Sequence, residues 1–206
     1  IGALVTARAT DFNQKPDELP SDGCITGYGV IDGNPVYVYS QDASVLNGSV
    51  GEMHAKKIAN LYDLALKTGA PVIGLIDSAG LRLQEATDAL NAFGEIYMKQ
   101  TLASGVIPQI TAIFGSCGGG LAIMPTLTDF TFMEETKAKL FVNSPNALDG
   151  NSVSKCDSSS ADFQSKEVGN VDVVADEATI FAKIRELVTM IPGNNEDDAS
   201  YEDCTD

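Results

Sequence analysis

The sequence has one histidine, His54, and four cysteines, Cys24, Cys117, Cys156 and Cys204. No two cysteines stand in C-x-x-C spacing, and a lone histidine cannot complete a zinc cluster with them, so no metal site is expected. Basic residues are scarce. Thirteen Lys and Arg stand against 29 Asp and Glu, a formal charge of −16. Nucleic acid is not expected as a partner, because phosphate contacts need clustered Lys and Arg. No uncharged apolar run approaches the ~18 residues of a membrane span, so no direct membrane insertion is expected. With no secretory leader and no paired cysteine motif, reduced thiols in a cytoplasmic protein are the expectation. Repeats of fixed period are also missing.

What remains is an ordinary apolar chain. Its 206 residues are 44% hydrophobic and 20% charged. That length suits one domain burying ~70% of its unfolded surface, with a tail. The expected division is an N-terminal segment 1–22, a domain 23–192 and an acidic tail 193–206. The tail carries six acids and no base.

Residues 11–23 are polar with two prolines and read as a loop. Cys24–Asp32 and Pro35–Ser40 are β-branched and aromatic around an Asp-Gly-Asn turn, which predicts a hairpin. Helical spacing runs over Ser49–Thr68 and stops at Gly69. Pro71–Ile76 and Gln109–Phe114 read as buried strands, with a long helix over Leu83–Ser104 between them. Gly118–Leu127 opens another helix. Short strands follow at Asp129–Met133 and Leu140–Val142, and Asn151–Asp162 is the least structured stretch. Asp176 caps a last helix with Ile180, Phe181, Ile184, Leu187, Val188 and Ile191 on one face. Strands alternating with helices make an α/β fold.

Two junctions share one layout: a buried strand ends, a Gly-bearing loop follows, and a helix begins. They are Ile76–Glu85 (IDSAGLRLQE) and Phe114–Ala122 (FGSCGGGLA). Ligands gather at strand carboxyl ends in such sheets. Helix starts there offer unpaired N–H groups, and glycines let a ligand approach them closely. Such donors suit a phosphate or an enolate oxyanion, and tight helix–strand packing would also use the glycines. Neither G-x-x-x-x-G-K-[ST] nor G-x-G-x-x-G occurs. Ser78 and Ser116 lack the G-x-S-x-G frame, and a Ser-His-Asp triad would have to use His54. Asp77, Glu85, Glu95 and Asp129 lie near the loops without a spacing that demands acid–base work. Arg82 pairs with Glu85 across one turn or meets an anionic ligand.

Seven ordered stretches carry a resemblance. They are Gly23–Gln41, Gly48–Lys57 (GSVGEMHAKK), Asp63–Gly69, Pro71–Glu85, Phe93–Ile96, Ala103–Gln109 and Gly115–Met133 (GSCGGGLAIMPTLTDFTFM). In these the chain resembles the N-terminal domain of the carboxyltransferase subunit of biotin-dependent acyl-CoA carboxylases and decarboxylases. The resemblance implies a crotonase-like (ClpP/crotonase) α/β fold of repeated β-β-α units. It implies transfer of a carboxyl group between biotin and the α-carbon of an acyl-CoA, with backbone oxyanion holes and no side-chain nucleophile. Biotin would ride on a separate carrier protein, since no Ala-Met-Lys-Met stretch occurs, and the coenzyme A thioester would be substrate. By the same resemblance Gly80, Leu81, Gly118 and Gly119 are the catalytic donors. Ser78, Ala79, Arg82, Cys117 and Gly120 bind substrate.

Departures from the family pattern include Ala79 and Leu81, which make the first loop bulkier, and Gly118 in the second. Asn143–Asn146 (NSPN) replaces the usual Gly-Pro-Asp, and Ser158–Gly169 lacks the usual Glu-Leu-Gly-Gly-Ala segment. The family carries two such domains, so a separate C-domain subunit is an expected partner in an oligomer, with the acidic tail standing where the linker would be. Two alternatives stay open. One is a non-catalytic assembly subunit; the other is the same site run as a malonyl- or methylmalonyl-CoA decarboxylase. A hydratase or isomerase would need paired acids, for which Glu85 and Glu95 are the candidates.

Overall fold

A computed structural model describes residues 1–8 and 19–197. Most of the expected loop 11–23, Cys204 and the tail beyond 197 lie outside the described residues.

The two apolar runs pair as expected. Strands β1 (Cys24–Ile31) and β2 (Asn34–Gln41) are antiparallel, with Ile31 opposite Asn34. Asp32 and Gly33 turn the chain with φ of 49° and 93°, the left-handed pair that Asp-Gly favours. Helix α1 (Glu52–Thr68) starts later than expected because Val50 is used elsewhere, in a bridge to Leu81. It ends on Gly69 in the left-handed conformation. Strand β3 (Val72–Ser78) leads to a 3₁₀ turn, Leu83–Glu85, and then to α2 (Ala86–Ala103). The expected single helix from Leu83 is thus broken at Ala86, whose φ is 46°.

Strand β4 (Gln109–Gly118) runs past the expected Phe114. Its first half pairs with β5 (Phe130–Glu134) and its second half with β6 (Lys139–Phe141). Between the strands lie a 3₁₀ turn, Gly119–Ala122, and the short α3 (Ile123–Thr126). After turns through 143–160 come α4 (Ala161–Phe163), an unexpected strand β7 (Val173–Ala175) and α5 (Glu177–Met190). The β-β-α order appears in β1-β2-α1 and again in β5-β6-α4.

Among the described residues the strands form one seven-stranded sheet, β1-β2-β3-β4-β5-β7, with β6 beside β4. Only β1–β2 is antiparallel. Helices α1 and α2 cover one face around Tyr39, Ile58, Leu61, Ile76, Ile96 and Ile113. Helix α5 covers the other, setting Ile180, Ile184 and Val188 against Val36, Ile73, Ile110 and Phe132. Asp176 caps α5 by accepting from the Thr179 N–H at 3.0 Å. The start of the acidic tail is tied down: the Asn194 side chain donates to Gly69 O and the Asn195 N–H to Val106 O, both at 2.9 Å.

Candidate functional site

Strands β3 and β4 are parallel neighbours, so their carboxyl ends emerge side by side. The register slips there, Ile76 facing Ile113 but Ser78 facing Cys117. The slip sets the two Gly-bearing loops against one cleft of about 560 Å³. Ser78, Ala79 and Leu81 line it from the first loop, and Gly118, Gly119 and Gly120 from the second. Leu83, Ser116, Phe141 and Val142 complete the lining, which has no charged side chain.

In the first loop nearly every backbone donor is already used. The Ala79 N–H donates to Asn47 O at 2.8 Å, and the Arg82 N–H to Val50 O at 3.0 Å. Gly80 O accepts from the Val50 N–H at 2.8 Å. The Gly80 N–H, one of the two expected donors, is held by Ser78 Oγ at 3.1 Å. The Leu81 N–H has no partner among the described residues. Because Leu81 is bridged to Val50 in parallel fashion through the peptides on either side of it, its own N–H points away from Val50. The segment 47–50 therefore braces the loop, a contact that spacing along the chain does not reveal.

In the second loop Gly118 ends β4 and Gly119 and Gly120 open a 3₁₀ turn. The register of β4 with β3 and β6 commits the expected Gly118 and Gly119 donors to the ladder carbonyls of Ser78 and Phe141, so the Gly120 N–H is the first one beyond the ladder. Two glycines are sterically required. Gly80 has φ 93°, and a Cβ there would lie 3.0 Å from Gly118 O, so the loops touch backbone to backbone. A Cβ on Gly118 would lie 2.7 Å from the Phe141 ring. The Tyr97 hydroxyl, from α2, donates to Gly120 O at 2.5 Å. Burial holds that phenol above its usual range, so it remains a donor at neutral pH.

Three expected ligands offer the cleft no free side-chain group. The Arg82 side chain is fully buried. It pairs with Asp22 and with Glu85, the latter at 2.9 Å, and donates to Ser49 O at 2.8 Å. Glu85 in turn accepts from the Glu52 N–H at 2.6 Å. A guanidinium engaged on all sides cannot meet an anion in the cleft. It instead pins the end of the first loop to the start of α1. Burial raises the Asp22 carboxyl, with Arg82 pulling the other way. Cys117 contributes backbone only, since its thiol is buried and pushed well above its usual range. The Ser78 hydroxyl is likewise buried and spent on Gly80.

His54 forms no triad. Its ring is buried in α1, with Nδ1 3.0 Å from Asp22 O and Nε2 3.2 Å from the Gln41 amide. Desolvation, with Arg82 nearby, lowers it to about 3, so it is neutral. The carboxylates near the loops are also occupied. Asp77 accepts from the Ser116 N–H at 3.3 Å, and Asp129 from the Gln109 N–H at 2.8 Å. With Glu85 buried on Arg82, the acid pair of a hydratase is not assembled. The walls Leu83, Phe141 and Val142, and the Tyr97 latch, were not read from the sequence. Phe141 and Val142 fall in the expected strand Leu140–Val142, but nothing local places that strand beside the far end of β4.

The chain matches the carboxyl transferase domain family over residues 1–206. It is 41% identical over 210 residues to the methylmalonyl-CoA decarboxylase subunit alpha of Propionigenium modestum, covering 100% of this chain and 41% of that protein. It is 41% identical over 196 residues to the propionyl-CoA carboxylase beta chain of Roseobacter denitrificans, covering 93% and 38%. Among solved structures it superposes on the transcarboxylase 12S hexamer core with hydrolysed methylmalonyl-coenzyme A bound, with a TM-score of 0.92 and 35% identity over 98% of this chain and 40% of that one. The chain thus spans well under half the length of these relatives, and its α/β fold is the crotonase-like one of carboxyltransferases. The two braced loops, the neutral cleft between them and these likenesses agree: the chain belongs to the carboxyl transferase domain family.

Proposed function

We propose that this chain forms the acyl-CoA half of a biotin-dependent carboxyltransferase site. The observation that carries the reading is the unpartnered N–H of Leu81, a residue that lines the same uncharged cleft as Gly119 and Gly120. Dipoles aimed into an apolar cleft stabilise an oxyanion far better than they would in water.

In this reading the acyl-CoA carbonyl oxygen accepts from the Leu81 N–H. When the α C–H bond breaks, its electron pair moves onto that oxygen as an enolate; it returns when the new C–C bond to the carboxyl group forms. The glycine floor of the second loop fits a second flat, anionic oxygen such as that of a biotin ureido group, because Gly119 has no atom within 4 Å of where its Cβ would stand. Biotin, when bound, supplies the carried carboxyl group and the base. This chain's part is to fix the oxygens with the N–H groups of Leu81 and Gly120, over the open floor of Gly118–Gly120, and to keep charged side chains out of the cleft.

The same donors serve decarboxylation, since the enolate is common to both directions, and relatives carry both names. Biotin on a separate carrier and a second carboxyltransferase domain are the proposed partners, in a cytoplasmic complex. Among the described residues no helix is long and apolar enough to cross a membrane. The test is calorimetric titration of the assembled complex with propionyl-CoA, methylmalonyl-CoA and free CoA. Affinity that rises with the acyl group is expected. Failure of every thioester to bind would overturn the reading and leave an assembly subunit.

A further inference from the structure

We propose that the Leu81 side chain sets the upper size of the acyl group this cleft accepts. The proposal rests on the carboxyltransferase reading above. Leu81 has an N–H with no partner among the described residues, and the residue itself lines the cleft. A thioester oxygen bound at that N–H sits about 2.9 Å from the nitrogen. The acyl α-carbon is two bonds from that oxygen, so its substituents reach the isobutyl group of the same residue.

The walls are not equally fixed. Leu83 and Val142 are 77% and 66% exposed at the mouth and can swing aside. Leu81 is half-buried and packs against the core below the sheet's helical face. Its backbone is held on both sides by Val50, through Gly80 O and the Arg82 N–H. Phe141, across the cleft, rests on Gly118 and cannot recede toward it. A sufficiently long acyl chain would therefore have to displace a clamped leucine. Because any substitution at 81 other than Pro keeps the N–H, side-chain size can be varied without deleting the donor.

The experiment compares Leu81→Ala and Leu81→Phe with the wild type in the assembled enzyme. Acetyl-, propionyl-, butyryl- and hexanoyl-CoA are the probes, read by calorimetric Kd and by kcat/KM. Leu81→Ala is expected to raise the hexanoyl-to-propionyl ratio about 10-fold or more, the smallest discrimination usual for a methylene-sized change in a pocket. Leu81→Phe is expected to lower butyryl and propionyl relative to acetyl. An unchanged ratio, with all thioesters weakened alike or not at all, overturns the proposal while leaving the carboxyltransferase reading intact. If the wild type binds no acyl-CoA, both fall together. Should Leu81→Ala fail to fold, Leu81→Val and Leu81→Phe carry the same ratio test.

Discussion

Replacing Gly80 with alanine tests whether the two loops act as one site. At φ 93° an L-residue is strained, by about 1–2 kcal/mol. The new Cβ would also stand 3.0 Å from Gly118 O, a backbone atom that cannot rotate away. The contact forces the loops apart by a few tenths of an ångström, and Leu81 and Gly120 separate with them. Gly33 supplies the control. Its φ is the same 93°, but nothing lies within 4 Å of its would-be Cβ, in the β1–β2 turn. Gly33→Ala and Gly80→Ala should therefore share the strain and differ in the contact. Urea unfolding should show Gly33→Ala destabilised by about 1–2 kcal/mol and Gly80→Ala by at least as much, which leaves a domain with roughly 5–15 kcal/mol of stability folded. Carboxyl-transfer turnover should fall about 10-fold or more in Gly80→Ala alone; outright loss of an oxyanion donor, worth ~10²–10³, sets the ceiling. Wild-type turnover in Gly80→Ala, or equal losses in both variants, would refute the joint site.

Other expectations follow from the groups behind the loops. Arg82→Met leaves Asp22 and Glu85 buried without their cation, and urea titration should show a loss of about 3–5 kcal/mol. Tyr97→Phe keeps the ring on Phe93 and removes only the hydrogen bond to Gly120 O. Stability should drop by about 0.5–1.5 kcal/mol, and kcat should fall several-fold with KM for the thioester unchanged, the split expected of a positioning residue. His54 is lowered to about 3 in the folded chain, against about 6.5 unfolded, so below pH 6.5 the unfolded state binds a proton that the folded state does not. Its contribution is present at neutral pH and is lost as the pH falls. Between pH 7 and pH 5 His54→Gln should lose about 2 kcal/mol less stability than the wild type, measured by denaturant titration at both values.

Much of this architecture was legible because it is local. The hairpin, α1 and α5 each carry their own period and stop signals: Asp32-Gly33, Gly69 and Asp176. The two Gly-bearing loops were legible as strand-to-helix junctions, and the parallel pairing of β3 with β4 brings them together. What escaped is tertiary. Glu85 reads as an ordinary i, i+3 partner of Arg82, but their shared burial with Asp22, 60 residues earlier, breaks the start of the long helix. Gly80 and Leu81 read as equivalent donors. Only the Ser78 hydroxyl, folded back on the Gly80 N–H, separates them. Strand β7 carries no sequence signal, because three half-buried residues are too few to show a period.

The placement of charge bears on how the proposed site would work through backbone donors. The chain is strongly acidic, and coenzyme A thioesters are anionic, so a lysine or arginine in the cleft would be the simplest remedy. None lines it. A cation there would hold the thioester's anionic groups and the enolate alike, lowering ground state and transition state together, which does not speed the chemical step. A fixed N–H gains most when full charge develops on the oxygen in front of it. Its value depends on not moving, and here the rigidity is built behind the loop. Arg82, drawn into the protein between Asp22 and Glu85, anchors the backbone on one side of Leu81. Val50 and Ser78 occupy the neighbouring groups, so that one donor remains and its direction is set. In the proposed site the buried arginine would thus act from behind, through the peptide it holds in place.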